Sequence, residues 1–486
     1  MTTADQTAES TDAEEHRNRW RALVVCLVAG GMCLLDVSIV NVALPSIRTG
    51  LGADDSDIQW VVAGYSLAFG MALVPAGRLG DARSRRTVFM FGVALFTLAS
   101  AACGASQSAL WISVARVIQG AGGGLITPQV SGFIQNMFKG PERGRAFGLF
   151  GASIGISTAI GPLLGGLLVQ LGGADFGWRL VFYVNLPIGL GLLVLARRWL
   201  PVAHEGRRAS LDPVGVLLFA GAMLLILLPV VEGSQGQSLA DRPWWLLGVA
   251  AAVLVVFVLW EVRWSRSGRE TLVDLELRKV PSYVYGVGLG TFYFAGFTSI
   301  FLILTLYLQN GLHYSALEAG ATQMPFAVGS AVAAFVAGRI VQRFGRALVI
   351  AGLVTIGVSL VAMDLLVPHI EDHIGLKLVP ILLLAGAGGG TVIAPNITLA
   401  LDEVNPERAG AGGGLLQTAQ RVGSAIGVAV VLAQFFDRVA STHGDFADAF
   451  SVALHTTIGL VVAALVLGVV DLVRRQRADR GQAAHH

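Results

Sequence analysis

The chain has 486 residues, 54% of them hydrophobic and 14% charged, with a formal net charge of +2. Ordinary soluble domains carry about 25% charged residues, so this composition excludes a soluble globular class and points to the bilayer. The cysteines, Cys26, Cys33 and Cys103, all fall in apolar stretches. They are too few and too scattered for a disulfide framework or a CxxC metal site.

Apolar stretches of about 20 residues, the length that crosses a hydrocarbon core at ~1.5 Å per residue, recur along the whole chain. Residues 1–21 are polar, show no cleavage site and read as a disordered N-terminal tail. The first span, 22–44, carries Asp36 in LLDVSIVNVALP; the second, 57–76, leads into GRLGDARSRR. Spans 87–106 and 108–137 follow, the latter with Arg116 in RVIQGAGGG. Span 144–171 holds GPLLGG, and WRLVFYVNLPIG enters span 178–200. Spans 213–232 and 243–262 carry few polar residues, and Glu232 and Glu261 at their ends read as interfacial acids. After TLVDLELRKVPSY come 282–309, 315–340, 346–367, 376–399, 408–435 and 452–473, fourteen spans in all, and a tail of 474–486 whose final His485 and His486 are given no role.

Lys and Arg are retained on the cytoplasmic side of a membrane, which sets the orientation. With the N-terminus inside, the inside segments hold 27 of the 34, the outside loops five (Arg48, Arg179, Arg242, Lys377, Arg438) and the spans two, Arg116 and Arg421. That asymmetry places the chain in the cytoplasmic membrane as a multi-pass protein with both termini in the cytoplasm.

The sequence repeats itself. GRLGDARSRRTV at Gly77 returns as GRIVQRFGRALV at Gly338, QGAGGGLITP at Gln119 as AGAGGGTVIAP at Ala385, and PERGRAFG at Pro141 as PERAGAGG at Pro406. Each copy holds the same place in a six-helix series, so the expected fold is an all-α integral membrane protein of two parallel six-helix bundles, 22–200 and 282–473, with 213–262 as an inserted hairpin. Parallel repeats of this kind are the layout of the major facilitator superfamily, whose substrate site lies between the halves near mid-bilayer.

An acid at the centre of a membrane helix costs about 2.5–3.5 kcal/mol on insertion scales, and such residues face a bundle interior and mark ion pathways. Asp36 therefore reads as a proton carrier, against the plainer reading of an acid locked in a permanent ion pair. It lies nine residues, roughly 13 Å, below the end of its helix at Pro45. Arg116 lies eight residues, roughly 12 Å, below Ser108 at the same end of the fourth helix, so the two match in depth.

LLDVSIVNVALP, GRLGDARSRR, RVIQGAGGG, GPLLGG and WRLVFYVNLPIG resemble, in order, the motifs of the fourteen-helix drug:proton antiporters of that superfamily. The resemblance implies proton-coupled export of lipophilic or cationic drugs or of an antibiotic, driven by the proton gradient with no cofactor. It implies that Arg116 works with Asp36 in proton transfer, and that Gly77, Asp81, Arg85 and Arg86 form a cytoplasmic latch. Ser84 stands where the family commonly has Gly, and Gln342 replaces Asp81 in the second copy, so any latch is asymmetric. In the GPLLGG helix Gly151, Gly155, Ala159, Pro162 and Gly166 recur every three or four residues and read as one smooth face for close helix approach with a Pro kink, while the resemblance makes Gly161, Pro162, Gly165 and Gly166 gating residues. In the family this motif distinguishes exporters from importers.

Asn41, Tyr65 and Gln119 in the first half, and Tyr293, Phe297, Asn396 and Gln417 in the second, are the candidate lining of a substrate cavity. Asp364 is the other acid well inside a span, which leaves one principal membrane carboxylate and a stoichiometry near one. A membrane enzyme or sensor is disfavoured, since there is no Walker A loop, HExxH or metal-spaced His or Cys cluster. A lipid or metabolite carrier on the same fold is the alternative. The expected partners are a lipophilic small molecule, protons and lipid, with no nucleic acid, and the expected unit is a monomer.

Overall fold

The computed structural model describes every residue except 1–2, 202–211, 232–242, 268, 270, 274, 368–373, 406–408 and 484–486. Among the described residues there is no β-strand. Among the described residues fourteen long helices carry the chain, besides a single turn at Ile374–Lys377: α1 (Thr3–Leu51), α2 (Asp55–Ala82), α3 (Arg85–Gly104), α4 (Ala109–Met137), α5 (Gly140–Tyr183), α6 (Asn185–Trp199), α7 (Pro213–Val231), α8 (Trp245–Arg266), α9 (Pro281–Leu306), α10 (Ala316–Phe344), α11 (Arg346–Leu366), α12 (Val379–Ala400), α13 (Ala409–Ser441) and α14 (Phe446–Ala483). Thirteen stretches are long and apolar enough to span a bilayer, and α7 adds a shorter apolar stretch, Pro213–Ile226. The path from α5 to α6 breaks at Gly173, whose φ of 70° and ψ of −174° a residue with a Cβ would adopt only with strain.

The tail expected to be disordered continues α1 instead, helical from Thr3. Its last turns are held by Arg19, which donates to the Met137 carbonyl at 3.3 Å and pairs with Glu142 at 3.6 Å, and by Trp20, edge-on to Phe138 at 5.1 Å. The C-terminal tail likewise extends α14 to Ala483. Glu232, Arg242 and the terminal histidines lie outside the described residues.

The sequence repeat is repeated in packing. In the first half α1 packs on α5, α2 on α4 and α3 on α4; in the second, α9 packs on α13, α10 on α12 and α11 on α12. Individual glycines reproduce the relation. A Cβ on Gly120 would strike the Tyr65 backbone and one on Gly386 the Phe326 backbone. Across the seam, Gly77 abuts the Gly410 backbone while Gly338 abuts Gly144. In hydrocarbon, helices gain little from the hydrophobic effect, and small residues permit the close van der Waals contact that holds them together. The α7–α8 hairpin rests on α2, where Phe219, Ala222, Met223 and Phe257 cluster with Val74, and Val422 of α13 packs against that cluster. Glu261 is no exposed interfacial acid: it is buried and accepts from the Leu272 and Val273 amides at 3.3 Å, tying the linker to α8.

Candidate functional site

Asp36 is fully buried at the meeting point of α1, α4 and the start of α6. Arg116 Nη1 donates to its Oδ2 at 2.6 Å; Gln119 Nε2 and Asn185 Nδ2 donate to its Oδ1 at 2.8 Å each. Arg116 is itself fixed: its Nε donates to the Val61 carbonyl at 3.0 Å, Nη1 also reaches Gln119 Oε1 at 2.8 Å, and its guanidinium lies 4.2 Å from the Tyr65 ring centroid. Behind Asn185, Ser100 accepts from its amide at 3.0 Å and donates to the Phe182 carbonyl at 2.9 Å. A carboxylate removed from water and given a guanidinium and two amide donors has its charge compensated in full.

Two glycines of the GPLLGG stretch set the position of α1 at this site. A Cβ on Gly161 would collide with Ser38, and one on Gly165 would come within 3.0 Å of the Ile39 carbonyl. Gly166 has nothing within 4 Å of such a Cβ. Gly151 and Gly155 face the second half instead, at Ala394 and Ala334 and at Ala327 and Ala331. The face expected on α5 thus meets the opposite bundle at Gly151 and Gly155, and Gly161 and Gly165, outside that face, meet α1. The side chains of Ala159 and Pro162 are not among those described.

The halves meet tightly at the end that carries the Arg-rich loops. Asp81 accepts from Arg85 Nε at 3.0 Å and Nη2 at 2.6 Å, and from the backbone amides of Gly410 and Ala411 at 3.2 and 2.7 Å. Those amides are the unsatisfied donors at the start of α13, where a negative charge is favoured. Arg85 Nη1 also donates to the Gly132 carbonyl at 3.1 Å, and Arg86 donates to the Arg197 carbonyl. Arg143 pairs with Asp402, and Gln135 donates to the Leu401 and Val404 carbonyls across the same seam. Ser84 serves the turn well without glycine: its φ is −140°, and its hydroxyl accepts from the Thr87 amide at 3.3 Å to cap α3. Gln342 is exposed and makes no such contact among the described residues, so the two copies of the loop differ in structure as in sequence.

The candidate cavity residues divide. Tyr65 and Gln119 belong to the buried Asp36 network, Tyr65 donating to the Cys33 carbonyl at 3.2 Å. Asn396 lies in a second buried network: it accepts from Arg346 Nη1 at 2.6 Å and donates to the Gly286 carbonyl at 2.9 Å, while Arg346 Nε donates to Asp471 at 2.6 Å. Tyr293 is buried and stacks at 5.3 Å on the half-buried Phe297, in an aromatic cluster with Phe301 and Phe326. Internal partners hold the Asn396 amide, whereas the buried Tyr293 hydroxyl has no hydrogen-bond partner among the described residues. Gln417 reaches across the seam to Ser131 Oγ at 3.1 Å, and Asn41 is exposed on α1.

Sequence reasoning missed Asn185 and Ser100, and the pair Arg346 and Asp471. A single Asn in the apolar run VFYVNLPIG was the available signal for the first. Asp471, two residues inside the last predicted span, was the signal for the second. Asp364 accepts from Ser451 at 2.5 Å and contacts His455 at 2.8 Å, so it too is engaged.

The comparisons agree with this architecture. The Major Facilitator Superfamily model matches residues 26–428, and the chain belongs to that family of transporters. It is 37% identical to a probable actinorhodin transporter of Streptomyces coelicolor over 88% of this chain and 74% of that protein. It is 33% identical to a puromycin resistance protein of Streptomyces alboniger, covering 95% and 92%. It is also 33% identical to a tetracenomycin C resistance and export protein of Streptomyces glaucescens, covering 90% and 79%. Among solved structures, a proton:xylose symporter superposes with a TM-score of 0.66 at 14% identity over 93% of this chain and 95% of that one, a likeness of fold alone.

Proposed function

We propose that this transporter is a proton-coupled antiporter that exports lipophilic drugs or an antibiotic across the cytoplasmic membrane by alternating access, with Asp36 as the exchanging group. The observation that carries the reading is the buried carboxylate held by Arg116, Gln119 and Asn185 on a helix that packs against α5. The names of the relatives, which include resistance and export of puromycin and tetracenomycin C, support the export direction.

With both termini in the cytoplasm, the sealed end is the cytoplasmic one and this conformation opens outward. Three donors hold Asp36 here. When the halves rock, α5 moves with the opposite bundle and shifts α1 relative to α4. Arg116 then draws away, and Asp36 is released to exchange its proton. Proton and substrate thus compete for alternate states of one cycle, with both halves supplied by a monomer. The membrane potential contributes about 2.3 kcal/mol per charge per 100 mV, about fiftyfold in concentration if one net charge moves. No cofactor enters the cycle.

The reading is tested in proteoliposomes with an imposed pH gradient. Puromycin or tetracenomycin C should accumulate against its gradient only when the compartment it enters is the more acidic one. Accumulation that is indifferent to the gradient, with either compound, would remove proton coupling.

A further inference from the structure

Arg421 lies inside the membrane-spanning part of α13 and makes no ion pair and no hydrogen bond among the described residues. The other intramembrane arginines are matched, Arg116 by Asp36 and Arg346 by Asp471. A charge placed in a membrane helix marks a functional site when it is turned to a water-filled interior, and its partner has to be found. Among the described residues the chain supplies none.

The position of Arg421 follows from its neighbours on α13. From the sealed end, Gly410 and Ala411 meet Asp81, Gly413 meets Ser131, Gly414 meets Leu73 and Gln417 bonds Ser131. Arg421 comes one turn later on the same face, and its side chain is exposed. Gly423 and Gly427 turn the other way, against Thr291 and Ala295 of α9. Arg421 therefore lies one turn past the seal, on the face of α13 that the sealing residues share. Its guanidinium lies 4.8 Å from the Phe69 ring centroid, Phe69 stacks on Tyr65 at 5.9 Å, and Arg116 covers Tyr65 at 4.2 Å. An aromatic pair thus separates the committed cation from the open one. Asp36, behind that pair, is taken by its three donors, so the surface just past the seal is positive.

We infer that Arg421 is the receptor for the anionic group of an acid-bearing substrate, with Phe69 holding the guanidinium in place from behind. The inference rests on the export reading for its biological meaning and narrows its substrate class away from lipophilic cations. A guanidinium offers a planar fork that matches a carboxylate or sulfonate and accepts a phenolate. Charge accounting gives a second signature. A monoanion leaving while a proton enters moves two charges in the same electrical sense, whereas a monocation leaving for a proton moves none.

The test uses the full chain in nanodiscs and two dyes with one tricyclic core, anionic fluorescein and cationic rhodamine 6G, read by fluorescence anisotropy. Wild type should prefer fluorescein by tenfold or more. Arg421→Gln should weaken fluorescein at least tenfold without weakening rhodamine 6G, and Arg421→Lys should restore part of the loss. Absence of fluorescein binding, a preference for rhodamine 6G, or equal weakening of both dyes by Arg421→Gln overturns the receptor. The export reading fails separately: fluorescein bound through Arg421 that moves no protons in energised everted vesicles keeps the receptor and removes antiport. Proton movement elicited by rhodamine 6G and unchanged in Arg421→Gln does the reverse.

Discussion

Asn185 shows how far a single residue can tune this site. Its amide is one of three donors on Asp36, and a hydrogen bond to a charged group is worth about 1.5–3 kcal/mol. Asn185→Leu removes one of those donors, and a loss of that size should lower the initial rate of proton-coupled uptake by about tenfold or more. An unchanged uptake rate at matched membrane levels would show that Asn185 only fills space. Arg116→Lys keeps the charge but loses the fork that joins Asp36, Gln119 and Val61, and is expected to uncouple proton movement from transport; full coupling would dismiss the role given to Arg116. The pairing of Asp36 with Arg116 was legible because depth along two helices is arithmetic. The assignments of Tyr65, Gln119 and Asn396 to a substrate cavity were not secure for a physical reason: a polar residue in hydrocarbon needs a partner, and sequence does not say whether that partner is a ligand or the chain itself.

At the scale of the element, α5 joins the proton site to the opposite bundle. Its glycines turn with the helix, so Gly144, Gly148, Gly151 and Gly155 serve the seam while Gly161 and Gly165 serve α1. The distinction depends on which neighbour lies where, which the spacing alone does not contain. It separates two neighbouring substitutions. Gly161→Val drives a branched side chain into Ser38, a cost of about 1–3 kcal/mol by overpacking, and displaces the helix that carries Asp36. Gly166→Ala enters open space and should stay within about 0.5 kcal/mol of wild type. Thermal unfolding of the purified variants and vesicle transport at matched membrane levels check the pair. Equal behaviour of the two would contradict the packing described for α5.

For the whole molecule, the repeat made the architecture legible before any coordinates: segments at matching offsets in sequence pack in matching ways, down to Gly77 on Gly410 and Gly338 on Gly144. The conformation was not legible, because the two ends of the seam differ only in which contacts are made. Asp81 on the start of α13 is the clearest of these contacts. Asp81→Asn removes its charge, and a loss of about 1.5–3 kcal/mol shifts the balance between the two open states by roughly ten- to a hundredfold. Spin-label distances between Arg83 and Glu403 should lengthen and broaden in the variant. An unchanged distribution would assign the seal to Arg143 with Asp402 and to Gln135 instead.

The central claim, that Asp36 carries the exchanged proton, is tested most directly by substrate-induced proton movement in energised everted vesicles, with wild type and Asp36→Asn present at equal levels. A transported compound should release protons from the lumen in wild type and release none in the variant. Equal release from both would place the proton site elsewhere and leave Asp36 as a structural partner of Arg116.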